Sequence, residues 1–224
     1  MIDQRGPRVK RALILDFGGV ISRTLFETHD ETERALGLHA GTLTWRGPFD
    51  PPSDPLWQAM QRAELSERDY WLQRSREVGA LLGETWDAME TLVQRARGAE
   101  PDRIVRPETA ALVREAQAAG IRLAILSNEL DLFYGRSLRE RLPLLQGFEH
   151  IHDATYTGVL KPDPQAYLGC LQALGLPPED AVFVDDQARN VEGARRLGIP
   201  TVAFDVTRPG ESCQEARHLL GLAG

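Results

Sequence analysis

After Pro107, short apolar runs alternate with amphipathic segments, and this pattern constrains the fold more than any other feature of the chain. Four of the runs have the length of buried strands: residues 122–126, 148–151, 181–184 and 201–204. The segments with helical periodicity each end at a glycine: residues 108–119, 163–174 and 188–197. Such alternation predicts an α/β fold, with a Rossmann-like parallel sheet between two layers of helices.

A further strand is predicted at residues 12–15, where an apolar run ends at Asp16 and a glycine turn follows. Two of the other predicted strands also end in polar pairs, Ser127-Asn128 and Asp185-Asp186. Ligands bind at the carboxyl ends of the strands in open α/β sheets. We therefore expect these polar side chains to converge on one site.

The stretch between the first strand and the later alternation has a different character. Helical periodicity dominates residues 22–103, and all four tryptophans of the chain lie there. This stretch is predicted to be an inserted helical subdomain with its own core. Residues 1–21 and 104–224 are then predicted to form the Rossmann-like core together.

The most informative pair is Asp185-Asp186, because two adjacent acids at the end of a buried strand repel each other. A hard dication with oxygen ligands removes that repulsion, and Mg²⁺ binds one or two carboxylates together with water and phosphate oxygens. Asn190 is placed to orient such a site from the next helix. Replacing one acid is expected to leave the thermal stability of the metal-free protein level or higher.

The other strand ends carry groups that suit an anionic substrate. Asp16 could attack an electrophile as a carboxylate nucleophile, and Gly18 and Gly19 would let the backbone approach a ligand closely. Ser127 and Asn128 could bind an oxyanion. Each of these residues, taken singly, also fits an ordinary turn.

Lys161 is unusual because it precedes a predicted helix start at Asp163-Pro164. A positive charge is disfavoured beside the positive end of a helix dipole. A bound anion or a carboxylate partner would relieve the conflict, and a solvated lysine is the alternative.

In their order and their strand-end placement, these segments resemble the four motifs of the haloacid dehalogenase superfamily. The resemblance spans residues 12–204 and implies that Asp16 is the nucleophile, that Ser127 binds the phosphoryl group and that Lys161 neutralises both. Residues 22–103 lie where this family inserts its helical cap. The run Phe17-Gly18-Gly19-Val20 resembles the subgroup related to the N-terminal phosphatase domain of mammalian epoxide hydrolase.

The same resemblance implies a Mg²⁺ site made by Asp16, the backbone carbonyl of Gly18, Asp185 and Asp186, with Gly19 and Asn128 beside the substrate. Most phosphatases of the family carry a second acid two residues after the nucleophile, which protonates the leaving group. This chain has Gly18 there. General acid catalysis contributes ~10²–10⁴ in rate, so unactivated alkyl phosphates are expected to be poor substrates.

Three functions compete on this evidence. The first is a Mg²⁺-dependent phosphatase of a small phosphorylated metabolite. The second is a 2-haloacid dehalogenase, since halide leaves without a proton, although the dehalogenases resembled here work without metal and Asp185-Asp186 would repel a carboxylate substrate. The third is a catalytically degenerate relative that binds a ligand or a protein.

The bulk properties exclude some partners. A net charge of −7 argues against broad binding of nucleic acids or anionic membranes, but a bound metal can still attract a small anion. No apolar run approaches the ~20 residues of a membrane span, and residues 1–11 lack the apolar region of a signal peptide. The expected location is the cytoplasm, and the oligomeric state is not indicated.

Overall fold

The computed structural model describes residues 11–62, 64–97 and 101–222, which form two compact units. The sheet unit contains the described residues through Ser22, Val105–Glu129 and the chain from Pro143 onward. The helical unit contains Arg23–Ile104 and Leu130–Leu142. The helical unit thus takes in a second segment, which the sequence pattern assigned to the core. Residues 1–10, on which the expectation of no signal peptide mainly rests, lie outside the described ranges.

Within the described ranges the α-helices, in chain order, are α1 (His29–Leu36), α2 (Pro55–Gln61), α3 (Glu67–Leu81), α4 (Glu90–Arg97), α5 (Pro107–Ala118), α6 (Leu130–Tyr134), α7 (Leu138–Arg141), α8 (Ala154–Thr157), α9 (Pro164–Leu174), α10 (Ala188–Arg196) and α11 (Pro209–Leu220). The strands are β1 (Ala12–Leu15), β2 (Arg122–Ser127), β3 (His150–Asp153), β4 (Ala181–Asp185) and β5 (Thr201–Ala203).

All five strands form one parallel sheet in the order β3-β2-β1-β4-β5. The central strand β1 is buried along its whole length, with each residue at most 2% exposed. Burial on both faces explains why its sequence is continuously apolar rather than alternating. Helices flank the sheet, so the predicted α/β fold with a Rossmann-like parallel sheet is confirmed.

Residues at its two ends determine where helix α9 begins and ends. The side chain of Asp163 caps α9 by accepting a hydrogen bond from the backbone N–H of Gln165 at 2.8 Å. Pro164 occupies the first helical position, and Gly175 ends the helix with φ of +60°. These bounds confirm the predicted helix and position Lys161 just before it.

Aromatic residues build the core of the helical unit. Phe26 and Trp45 pack edge to face with ring centroids 5.6 Å apart. Beside them, Asp54 accepts hydrogen bonds from the hydroxyl of Tyr70 at 2.7 Å and from Arg74 at 2.5 Å. Trp45 is only 6% exposed, so it contributes to the core of this unit.

None of the helices in the described ranges combines the length and the hydropathy that a membrane span requires.

His29 makes the stability of the helical unit depend on pH. This side chain is buried against Trp45, and burial, reinforced by the charge of Arg46, lowers its pKa from 6.5 to about 4. The unfolded chain therefore binds a proton that the folded unit excludes. Stability from the neutral imidazole is complete above pH 6.5 and is lost as the pH falls toward 4. We expect a loss on the order of 2 kcal/mol between pH 7 and pH 5.

Urea unfolding followed by tryptophan fluorescence measures this loss, because all four tryptophans belong to the helical unit. His29→Gln should shrink the difference between the two pH values. The matched control His39→Gln, at an exposed histidine of the same unit, should keep it. An unchanged difference in His29→Gln would show that another group carries the pH dependence.

Candidate active site

The site forms where β1 and β4 lie side by side in the sheet. Asp16 directly follows β1 and Asp185 is the last residue of β4, and the backbone N–H of Asp16 donates to the carbonyl of Val184 at 2.9 Å. The strand order reverses between β1 and β4, since β2 and β3 extend the sheet on one side and β5 on the other. Ligands bind in the crevice at such a switch point.

Lys161 lies between the two acids. Its Nζ is 2.8 Å from Oδ1 of Asp16 and 2.7 Å from Oδ2 of Asp185, and its side chain is 1% exposed. The carboxylate partners raise the pKa of Lys161 against the opposing effect of burial. The conflict with the helix dipole is therefore resolved by carboxylates, and the alternative of a solvated lysine is wrong.

Asp185 is fully buried, and both of its carboxylate oxygens accept hydrogen bonds. Oδ1 accepts hydrogen bonds from the backbone N–H of Gln187 at 2.8 Å and from the amide of Asn190 at 3.0 Å, while Oδ2 accepts from Lys161. Its charge is thus compensated without a metal. From these contacts we expect replacement of Asp185 to lower the stability of the metal-free protein, in contrast to the expectation from the sequence, because its removal would leave buried donors unpaired.

Asp16, Asp185 and Asp186 each offer a ligand oxygen, and these oxygens lie within 4.8 Å of one another. When ionised, the three carboxylates carry three negative charges, and the ammonium of Lys161 beside them compensates one, so the net charge of the cluster is −2. An all-oxygen donor set with that charge fits a hard dication such as Mg²⁺. Burial raises the pKa of Asp16 to about 7, against the opposing effect of Lys161, and a dication would favour its ionised form.

The turn after Asp16 is shaped by two different glycines. Gly19 has φ of +74°, and a Cβ there would lie 2.3 Å from Oδ2 of Asp186. Arg106 is buried and holds the turn by donating from Nε and Nη2 to the carbonyl of Gly19, at 3.2 and 3.1 Å. Gly18 is exposed, has φ of −67°, and would have open space around a Cβ.

Ser127 is the last residue of β2, the strand that pairs with β1, and Asn128 follows it directly. Ser127 is buried, and its Oγ accepts a long hydrogen bond from the backbone N–H of Glu129 at 3.4 Å. The side chain of Asn128 pairs with the backbone of Lys161, accepting from its N–H at 2.7 Å and donating to its carbonyl at 3.2 Å. Asn128 therefore fixes the backbone that carries the lysine, and contact with a substrate remains a prediction.

Two contributors were not identified from the sequence. Arg106 holds the turn after Asp16, and the hydroxyl of Tyr167 donates to the backbone carbonyl of Asn190 at 2.8 Å, which fixes the first turn of α10. An arginine before a helix and a tyrosine on an apolar helix face are common, so neither residue gives a local signal. Both act through backbone groups that are distant in the sequence.

Comparison with known proteins agrees with this architecture. Residues 10–198 match the model of the haloacid dehalogenase-like hydrolase family. The chain is 35% identical over 219 residues to mouse acyl-CoA dehydrogenase family member 10, an alignment that covers 96% of this chain and 20% of that protein. It is 30% identical over 227 residues to the plasmid-encoded protein CbbY of Cupriavidus necator, covering 94% of this chain and 84% of that protein.

Rat bifunctional epoxide hydrolase 2 is 28% identical over 204 residues, which cover 86% of this chain and 36% of the hydrolase. The chain thus spans only part of the length of the mouse and rat relatives. Among solved structures, the HAD-hydrolase YfnB of Bacillus subtilis superposes with a TM-score of 0.67 at 16% identity, covering 95% of this chain and 99% of that one. Family model, relatives and fold agree, and the chain belongs to the haloacid dehalogenase-like hydrolases.

Proposed function

We propose that this hydrolase is a Mg²⁺-dependent phosphatase of a small phosphorylated metabolite and works through an aspartyl-phosphate on Asp16. The observation that carries the proposal is the convergence of Asp16, Asp185 and Asp186, whose ligand oxygens lie within 4.8 Å of one another beside the ammonium of Lys161. A phosphate substrate with its metal needs such a combination of fixed positive and negative charges.

Exposure distinguishes the nucleophile from the neighbouring acid. The side chain of Asp16 is 13% exposed, whereas that of Asp185 is fully buried. A substrate can therefore reach Asp16, while Asp185 is enclosed by its hydrogen-bond donors. Lys161 holds Oδ1 of Asp16 in place, which orients the carboxylate for attack.

In the reaction, a carboxylate oxygen of Asp16 attacks phosphorus in line, and an acyl phosphate bond forms as the bond to the leaving oxygen breaks. Lys161, the hydroxyl of Ser127 and backbone amides of the nucleophile turn stabilise the charge on the transferring group. Mg²⁺ held by Asp16, the carbonyl of Gly18 and the acidic pair would neutralise phosphate charge and orient it. Water then hydrolyses the aspartyl-phosphate and releases inorganic phosphate.

One observation favours the dehalogenase alternative. Gly18 offers no carboxyl to protonate a leaving group, and a halide requires no proton. The acidic cluster weighs against this alternative, because two uncompensated negative charges would repel a haloacid carboxylate. Dependence on Mg²⁺ separates the two reactions: full activity in excess chelator would favour dehalogenation.

Asp16→Asn should abolish turnover of an activated aryl phosphate, by at least about 10³-fold in kcat. The amide is a poor nucleophile, while its oxygen can still accept the hydrogen bond from Lys161, so the fold should be preserved. Steady-state kinetics and circular dichroism test both expectations. Asp180→Asn provides the matched control, because Asp180 lies just before the opposite end of β4. Retention of most activity by Asp16→Asn would end the covalent mechanism.

Gly19→Ala should weaken Mg²⁺ binding by about 10-fold or more. The added methyl group would displace the carboxylate of Asp186, and the backbone at φ of +74° would also be strained. Gly198→Ala is the control, since that glycine has φ of +77° and open space around its Cβ position. Calorimetric titration with Mg²⁺ measures both variants. Equal affinities in the two variants would mean that Asp186 does not bind the metal.

Gly18→Asp should change how the rate depends on the leaving group. In the wild type we expect aryl, acyl and anomeric phosphates to react much faster than alkyl phosphates, because an alkoxide must leave without a donated proton. The backbone at Gly18 accepts a side chain without strain or clash. The variant should therefore fold and should gain most on the poorest leaving groups. A flat leaving-group profile in the wild type would show that another residue donates the proton, with Glu129 the first to be tested.

A further inference from the structure

The helical unit contains a buried arginine that forms no ion pair with any residue the structure describes. Arg97, the last residue of α4, is 8% exposed, and its Nη2 donates to Oγ1 of Thr28 at 3.0 Å. Its Nε and Nη1 are buried and have no hydrogen-bond partner among the described residues. A guanidinium stays protonated in proteins, and an uncompensated buried charge is costly. The arrangement therefore calls for an anion.

Two carboxylates attract this guanidinium electrostatically, those of Glu31 and Glu27, and both have other partners. The carboxylate of Glu27 accepts hydrogen bonds from the backbone N–H and the hydroxyl of Thr24, both at 2.8 Å. Glu31 pairs with Arg23 at 3.1 Å. Neither carboxylate forms a salt bridge with Arg97, whose Nε and Nη1 have no hydrogen-bond partner among the described residues.

We propose that Arg97 and Thr28 mark an oxyanion-binding site in the helical unit, which takes a phosphate or carboxylate group of a small molecule. Oxyanions match the two unpaired donors in both charge and hydrogen-bonding capacity. A neutral ligand would accept hydrogen bonds from these donors but would leave the positive charge of Arg97 uncompensated. The site is independent of the proposed phosphatase reaction, since all its residues belong to the helical unit.

Thermal unfolding of the full chain, followed by tryptophan fluorescence in chelator, tests the site without turnover. Inorganic phosphate is compared with KCl at equal ionic strength for the wild type, Arg97→Met and the control Arg95→Met. Arg95 is exposed on the same helix and pairs with Glu84 at 2.9 Å. Phosphate should raise the Tm of the wild type and of Arg95→Met by a few degrees, and that of Arg97→Met much less.

Without phosphate, Arg97→Met should unfold at the same temperature as the wild type or higher, because the variant no longer buries an unpaired charge. Equal stabilisation of Arg97→Met and the wild type by phosphate would overturn the site. If Arg97→Met fails to fold, Arg97→Lys takes its place: it keeps the charge but loses the guanidinium donors, so its response to phosphate should be reduced. A full response in Arg97→Lys would equally overturn the proposal.

Discussion

The ammonium of Lys161 lies between two buried carboxylates, and the whole site depends on this contact. Asp16 and Asp185 come from neighbouring strands, and the desolvation of two such acids would cost several kcal/mol each without a cation. Lys161 sits at 2.8 and 2.7 Å from them, and the Asn128 side chain holds its backbone in turn. Removing one partner of such a buried set typically costs about 3–5 kcal/mol, so site and fold are stabilised together.

The same electrostatics bear on how an acidic protein would bind the anionic substrate that we propose. The chain carries a net charge of −7, and its site concentrates three carboxylates. In the function that we propose, the acids outnumber the lysine, so the site would attract a dication first, and the dication would then attract phosphate. The order of these attractions makes the metal part of substrate recognition in the function we propose.

Sequence reasoning succeeded where a signal was local. The bounds of α9 followed from Asp163, Pro164 and Gly175, which act within one turn of the helix ends. It was less accurate at the sheet edge, where β3 runs over His150–Asp153 instead of residues 148–151, because a short strand paired on one side has a weak apolar pattern. No helix was predicted after residue 204, although α11 spans Pro209–Leu220.

In the candidate site, too, the residues with a local sequence signal could be predicted and the contacts between distant residues could not. Asp16, Lys161 and the acidic pair could be identified as polar residues at strand ends and in one unusual loop. That Lys161 neutralises Asp185 could not, because the contact joins residues far apart in sequence and depends on strand order. Local sequence also gives no indication that Arg97 is buried with two of its donor nitrogens unpaired among the described residues, since burial of a helix end is decided by the packing of the unit.

The position of β1 has a consequence for biosynthesis. This strand is at the centre of the sheet, yet both strands that flank it, β2 and β4, are encoded after the long first segment of the helical unit, Arg23–Ile104. On the ribosome, the apolar strand β1 must therefore remain unpaired while Arg23–Ile104 is made, which exposes it to aggregation and to chaperones. Because β4 carries Asp185, the three acids and Lys161 come together only when most of the chain has emerged.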